Sequence, residues 1–342
     1  MSVTIKDIAK KTGFSVATVS RVLSNKTGFF SQTTAQAIHQ AAADLGYKKN
    51  MAATELVMQT SNVIAVIINS TKTNFSDQII MGIQKKAGET GKRVIILYAG
   101  DHDQTAQQIA LTTALERPLL GILLVSVDLY PDNLQLLKSA KVPFFFISIS
   151  FEDTKLNYIA SDDYQIGYQA TKFLIKHGHR KIGLAGLDIS PSAHTGNLRF
   201  HGYRKALAES GINFQTNWLQ TGDYSYEAGV AAMNAYQKGK VSAIVAASDL
   251  VGIGILNQAA KIGLHIPADL SVVSIDGTNL CQLVRPALTS ITQDFYQMGY
   301  LGTTYLISGS NKNAYTEIQI CQRASVKKKS CCNFFKFISC LL

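Results

Sequence analysis

From residue 62 onward, uninterrupted apolar runs alternate with segments in which apolar residues recur every three or four positions. The first runs are VIAVII (63–68), VIILYA (94–99), GILLVSV (121–127) and VPFFFIS (142–148). Runs that are apolar throughout suit strands buried on both faces of a sheet. Between them, Asp77–Thr90, Gln104–Glu116 and Pro131–Ala140 carry the helical period. Strands spaced by helices predict a parallel sheet covered on both faces.

A second set begins near Tyr158. Helix Tyr164–His177 leads to strand KIGLAGL (181–187) and helix Arg199–Ser210. Helix Tyr226–Gln237 leads to strand AIVAAS (243–248), helix Asp249–Ile262 and strand LSVVSID (270–276). Two batches of strand–helix units predict two similar subdomains. Thr289–Gln293 is expected to return to the first, with helix Phe295–Ser308 and strand Tyr315–Ile320 completing it.

The first sixty residues have another texture. Thr4 and Asp7 stand three apart, so the hydroxyl can cap a helix start while the carboxylate reaches back. Ile5, Ile8 and Ala9 then share a face, and Gly13 can take the left-handed turn that ends the helix. Ser15 can cap a second helix with Val19, Val22 and Leu23 inward and Val16, Ala17, Thr18, Ser20 and Arg21 outward. Ser31 can cap a third, with Ala35, Ile38, Ala42 and Leu45 on one stripe and Gly46 at its end. Two short helices across a glycine turn, the second showing small, hydroxyl and Arg side chains, read as a helix-turn-helix.

The stretch TIKDIAKKTGFSVATVSRVL (4–23), with LGYKKN (45–50) after it, resembles the N-terminus of LacI-type bacterial transcriptional regulators. The resemblance runs from about Thr4 to Val326. It implies an α/β fold in which a helix-turn-helix head (1–47) is joined by a hinge helix (48–60) to a sensor (61–326). That sensor would be a two-subdomain, periplasmic-binding-protein-like body with parallel sheets. Its first subdomain would take about 61–158 plus 292–326, its second about 159–291. The basic Cys/Phe tail, 327–342, has no counterpart in the family and is expected to be disordered.

Charge agrees with a polyanionic partner. The chain carries a net +10 over 342 residues, and Lys6, Lys10, Lys11, Arg21, Lys26, Lys48 and Lys49 face only Asp7, Asp44 and Glu55 in the head and hinge. The N-terminal outward residues of a recognition helix read base edges. Arg21 can fork to guanine, while Val16 and Ala17 can make only apolar contacts. Ser15, Thr18, Ser20 and Tyr47 can donate to phosphates. The family's hinge wedges a Leu from each subunit into the minor groove, and Leu56 holds that position. Lys49 stands where the family usually has Pro, and Thr54-Glu55 where it has Arg-Ser. The acidic Glu55 would weaken hinge binding.

Ligands of such folds bind between lobes, at the carboxyl ends of strands. Arg199 opens R-F-H-G-Y, like the family's effector-contacting Arg, and Asp276 ends SVVSID where the family has a ligand-binding Asp. Tyr224 and Phe75 match positions that line the pocket with aromatic faces. Ser126, Asp128, Ser248 and Gln293 lie at other strand ends. An Arg199–Asp276 pair could clamp adjacent hydroxyls, whereas Asp249 reads as a helix cap.

Neither GxGxxG, GxxxxGK[ST] nor GxSxG occurs, and HGHRK (177–181) reads as a helix end and basic turn, so no enzyme is expected. The five cysteines lack zinc spacing, which predicts no metal, no cofactor and no structural disulfide. No apolar leader or bilayer-length run appears, so a cytoplasmic protein without membrane contact is expected. The reading is a homodimeric repressor of a pseudo-palindromic DNA operator, controlled by a carbohydrate effector, a sugar or sugar phosphate. The alternative is a solute-binding protein without DNA function.

Overall fold

The computed structural model describes residues 3–24, 30–47, 61–69, 75–101, 103–151, 155–239 and 241–327. The hinge, with Leu56, and the tail from residue 328 lie outside the described residues. Two compact units divide between Ser61 and Asn62.

The first unit holds α1 (Ile5–Thr12), α2 (Val16–Leu23) and α3 (Gln32–Asp44). Thr4 donates from its backbone N and its hydroxyl to Asp7 Oδ2 at 2.8 and 2.7 Å. Gly13 ends α1 at φ +73° and Gly46 follows α3 at φ +67°, a region that costs glycine little. Ile8, Val19, Val22 and Ile38 form the centre of the bundle, and Lys11 ties α1 to Asp44 at 2.9 Å.

The second unit contains two six-stranded sheets. The first is built from β1 (Val63–Ile68), β2 (Arg93–Tyr98), β3 (Gly121–Val125), β4 (Phe144–Ile147) and β5 (Tyr158–Ala160). Their helices are α4 (Ser76–Glu89), α5 (Gln104–Leu115) and α6 (Pro131–Ser139). The second sheet uses β6 (Ile182–Leu187), β7 (Leu219–Thr221), β8 (Ala243–Ala246), β9 (Ser271–Asp276) and β10 (Thr289–Gln293). Its helices are α7 (Asp163–Lys176), α8 (His194–Glu209), α9 (Tyr226–Gly239), α10 (Asp249–Lys261) and the short α11 (Leu280–Leu283). After α12 (Phe295–Ser308), the short β11 (Ala314–Tyr315) and β12 (Ile318–Cys321) close the chain.

Strand order is β11-β5-β4-β3-β1-β2 in the first sheet and β12-β10-β9-β8-β6-β7 in the second. All pairs are parallel except β10 with β12. The cores behave as the apolar runs demand: Ile64, Val66, Leu123 and Ile147 fill one face of the first sheet, and Ala65, Ile67, Ile122 and Leu124 the other.

The return crossing differs from expectation. Thr289–Gln293 pairs with β9 in the second sheet, in register Thr289 with Val273, and α12 is the element that packs back on the first lobe. There Gly299 sits so tightly against α4 that a Cβ would meet the Ile79 carbonyl. The expected strand Tyr315–Ile320 is two strands, one in each sheet. TSITQ is polar but mostly buried; Ser290 donates to the Ser274 carbonyl at 3.1 Å and the Thr289 hydroxyl accepts from Arg323 N at 2.9 Å. A buried polar strand carries no hydrophobic signal that assigns it to a sheet.

Candidate DNA-contact face and effector cleft

In the first unit, α2 turns Val19 and Val22 into the core and leaves Ser15, Val16, Ala17, Ser20 and Arg21 exposed, with Thr18 half-buried. Val16, at 40% exposure, is an apolar residue that the bundle leaves in water. Ser15 accepts from Thr18 N at 3.1 Å, and the two hydroxyls share a hydrogen bond of 2.9 Å. One of the two hydroxyl protons is thereby used in the shared bond. The Tyr47 ring packs against the bundle core.

In the second unit, a cavity of about 270 Å³ lies where the carboxyl ends of both sheets meet. Phe75 enters after β1, Ser126 and Asp128 after β3, Ser148 after β4. From the other sheet come Asp188 after β6, Tyr224 after β7, Ala247 after β8, Asp276 at the end of β9 and Gln293 at the end of β10. Helix α8 adds His194, Thr195 and Arg199.

Arg199 is buried on the first half of α8 and reaches there because α7 and α8 cross nearly in backbone contact. A Cβ on Gly167 would strike the Arg199 carbonyl, and one on Gly202 the Tyr164 carbonyl. Asp163, one turn before Gly167, is thus brought to the guanidinium. Arg199 Nε donates to Asp163 Oδ1 at 2.8 Å and Nη1 to the Ala247 carbonyl at 2.9 Å. Burial opposes the Arg199 charge, but the Asp163 and Asp276 carboxylates outweigh it and hold the guanidinium above its ordinary range. Burial pushes the Asp276 carboxyl well up, Asp249 adds to this, and Arg199 opposes it. Gln293 Nε2 donates to Asp276 Oδ1 at 3.0 Å.

Backbone strain gathers here. Ser126, Ser148, Tyr224 and Asp276 line the cavity with φ of 53°, 70°, 61° and 107°. Such conformations persist where surrounding structure enforces them, often at ligand sites. The Ser126 hydroxyl is buried and has no hydrogen-bond partner among the described residues. Phe75 is braced by Phe295, ring centroids 4.6 Å apart at 13°. Across the cavity, His194 Nδ1 lies 3.1 Å from Asp128 Oδ1, and Phe151 meets the imidazole edge-on at 4.9 Å. This pair links α8 to the loop after β3.

Phe75, Ser126, Asp128, Arg199, Tyr224, Asp276 and Gln293 therefore line one cavity, as strand-end reasoning expects. Ser248 does not: its hydroxyl caps α10 by accepting from Val251 N at 3.1 Å and donates to the Tyr224 carbonyl at 2.7 Å. It holds Tyr224 instead of facing a ligand. Arg199 and Asp276 both line the cavity, and Asp163, which the strand-end rule does not reach, is the hydrogen-bonded partner of Arg199. Asp249 is not the cap of α10 but a buried brace, accepting from Thr278 N and Ser274 Oγ at 2.6 Å each. Asp188 could have been found by the strand-end rule. His194 could not, since α8 begins a turn before the periodicity suggests and Ala193 offers no capping side chain.

Residues 4–50 match the model described as "Bacterial regulatory proteins, lacI family", and residues 61–329 the one described as "Periplasmic binding proteins and sugar binding domain of LacI family". The chain belongs to the LacI family. Catabolite control protein A of Priestia megaterium is 30% identical over 316 residues, covering 91% of this chain and 94% of that protein. A transcription regulator from Lactobacillus plantarum is 44% identical, covering 79% of this chain and all of that one, with a TM-score of 0.71. The lac repressor dimer bound to operator and the anti-inducer ONPF superposes with a TM-score of 0.84 at 26% identity, over 96% of this chain and 100% of that one. This LacI-family chain is a DNA-binding transcriptional regulator with a small-molecule effector domain. Among the described residues no helix is long and apolar enough to cross a membrane, and no cluster of His, Cys, Asp and Glu is placed to hold a metal.

Proposed function

We propose that the protein is a homodimeric repressor, acting in the cytoplasm on a pseudo-palindromic operator, and that the cavity between its sheets is the effector site. The observation that carries this is the convergence of Arg199, Asp276, Gln293, Asp128, Tyr224 and Phe75 on one cavity built from both sheets. A ligand held by residues of both lobes fixes their relative angle, and a binding-induced angle is a signal the head can read. Arg21, Val16 and Ala17 would read base edges, and Ser15, Thr18, Ser20 and Tyr47 would contact phosphates. Bidentate Arg and carboxylate groups beside aromatic faces suit a polyhydroxylated ring. No hydrolytic or group-transfer constellation is needed by this reading, which makes the protein a regulator and not an enzyme.

Coupling must be reciprocal, so effector and operator shift each other's affinity by one factor. The test is a gel shift of the chain's own promoter region, with and without candidate sugars. Arg199→Ala should leave operator binding intact and abolish the effector response. Absence of any preference for promoter DNA over random duplex would overturn the regulatory reading. An unchanged response in Arg199→Ala would remove Arg199 from the site.

A further inference from the structure

Resting on the proposal that the cavity binds a carbohydrate, we infer that its effector is an unphosphorylated sugar and that the cavity rejects phosphate esters. Among the described lining residues, Asp128 and Asp188 bring carboxylates, beside the up-shifted Asp276 carboxyl, against Arg199 and His194. Neither cation is spare. The Arg199 charge is matched by Asp163 at 2.8 Å behind the cavity wall, and His194 is matched by Asp128 at 3.1 Å.

The amino end of α8 also reaches the cavity, and helix N-termini attract anions. Here that end already faces acid. Asp128 is bonded to its first residue, and the Asp188 carboxylate accepts from Ser190 N at 2.8 Å and Ser190 Oγ at 3.0 Å in the loop leading to it.

Neutral hydroxyls meet the opposite welcome. The carboxylates accept from them, Gln293 and Asn69 offer amides, and the buried Ser126 hydroxyl lacks a partner among the described residues. Carboxylates bonded to sugar hydroxyls gain charge-assisted hydrogen bonds without adding charge. A phosphate ester would instead place one to two negative charges among them. One like-charge pair about 8 Å apart, at the effective dielectric of a protein site, lowers affinity by roughly 30-fold.

The experiment uses the purified full-length protein, screened by thermal shift and then by calorimetry. The probes are matched pairs: glucose and glucose 6-phosphate, ribose and ribose 5-phosphate, sucrose and sucrose 6-phosphate, cellobiose and cellobiose 6-phosphate. A ligand that binds only the folded state raises the melting temperature. The expected result is that at least one parent sugar binds and its ester binds about 30-fold more weakly or worse. An ester that binds as well as its parent or better overturns this inference and leaves the carbohydrate site standing. No stabilisation by any member of any pair overturns the carbohydrate reading, and this inference with it. Asp128→Asn should narrow the parent-to-ester ratio, and Asp188→Asn serves if that variant fails to fold. A ratio unchanged in the folded variant refutes the electrostatic cause.

Discussion

Replacing Asp163 by Asn tests how the central Arg199 is held. The side chains of Asp163 and Arg199 are 4% and 7% exposed, so the pair is shielded from water. Asn keeps the shape but removes the charge, leaving a buried guanidinium bonded to the Ala247 carbonyl. Breaking a buried ion pair by deleting one partner costs about 3–5 kcal/mol. Asp276 remains close enough to act on the Arg199 charge, which places the expected loss near the lower bound, about 3 kcal/mol. For a unit of this size that corresponds to a melting shift of roughly 6–12 °C. The assay is thermal or urea unfolding of the wild type, Asp163→Asn, Arg199→Met and the double variant. The double variant carries no uncompensated charge, so its loss should be clearly smaller than the sum of the singles. A single-variant loss under about 1 kcal/mol, or strict additivity, would refute the claim that Asp163 compensates Arg199.

Three other outcomes follow from the same geometry. Arg21→Ala should weaken operator binding by about 1–3 kcal/mol and relax discrimination at one base pair; a uniform loss over all sequences in a gel-shift panel would show that Arg21 touches only phosphate. The hydrogen bond that His194 donates to Asp128 raises the His194 pKa above its ordinary 6.5, more than burial lowers it. A raised folded-state value makes the stabilisation complete below pH 6.5 and lost as pH climbs through the folded value, so melting temperature should fall across that window and His194→Gln should flatten the profile. Ser126→Gly should relieve left-handed backbone strain at φ 53°, stabilising the fold by about 1 kcal/mol while weakening effector binding in calorimetry; tighter binding would refute a ligand contact for Ser126.

Much of this molecule was written in local pattern. Thr4, Gly13, Ser15, Ser31 and Gly46 mark the helix ends of the head, because capping and left-handed turns are decided by a few neighbouring residues. The apolar runs announce buried parallel strands, since a strand covered on both faces must be apolar at every position. Most cavity residues follow from one rule, that strand ends in such sheets face the ligand. Only the tertiary structure decided the rest. Partners distant in sequence, such as Asp163 for Arg199 and Asp128 for His194, are chosen by how helices cross and lobes meet, and the close α7–α8 approach at Gly167 and Gly202 that sets the first of these leaves no periodic trace. The sheet to which TSITQ belongs was likewise settled by its backbone pairing with β9 and β12 and by Ser290 bonding the Ser274 carbonyl, a long-range choice that local hydrophobicity does not encode.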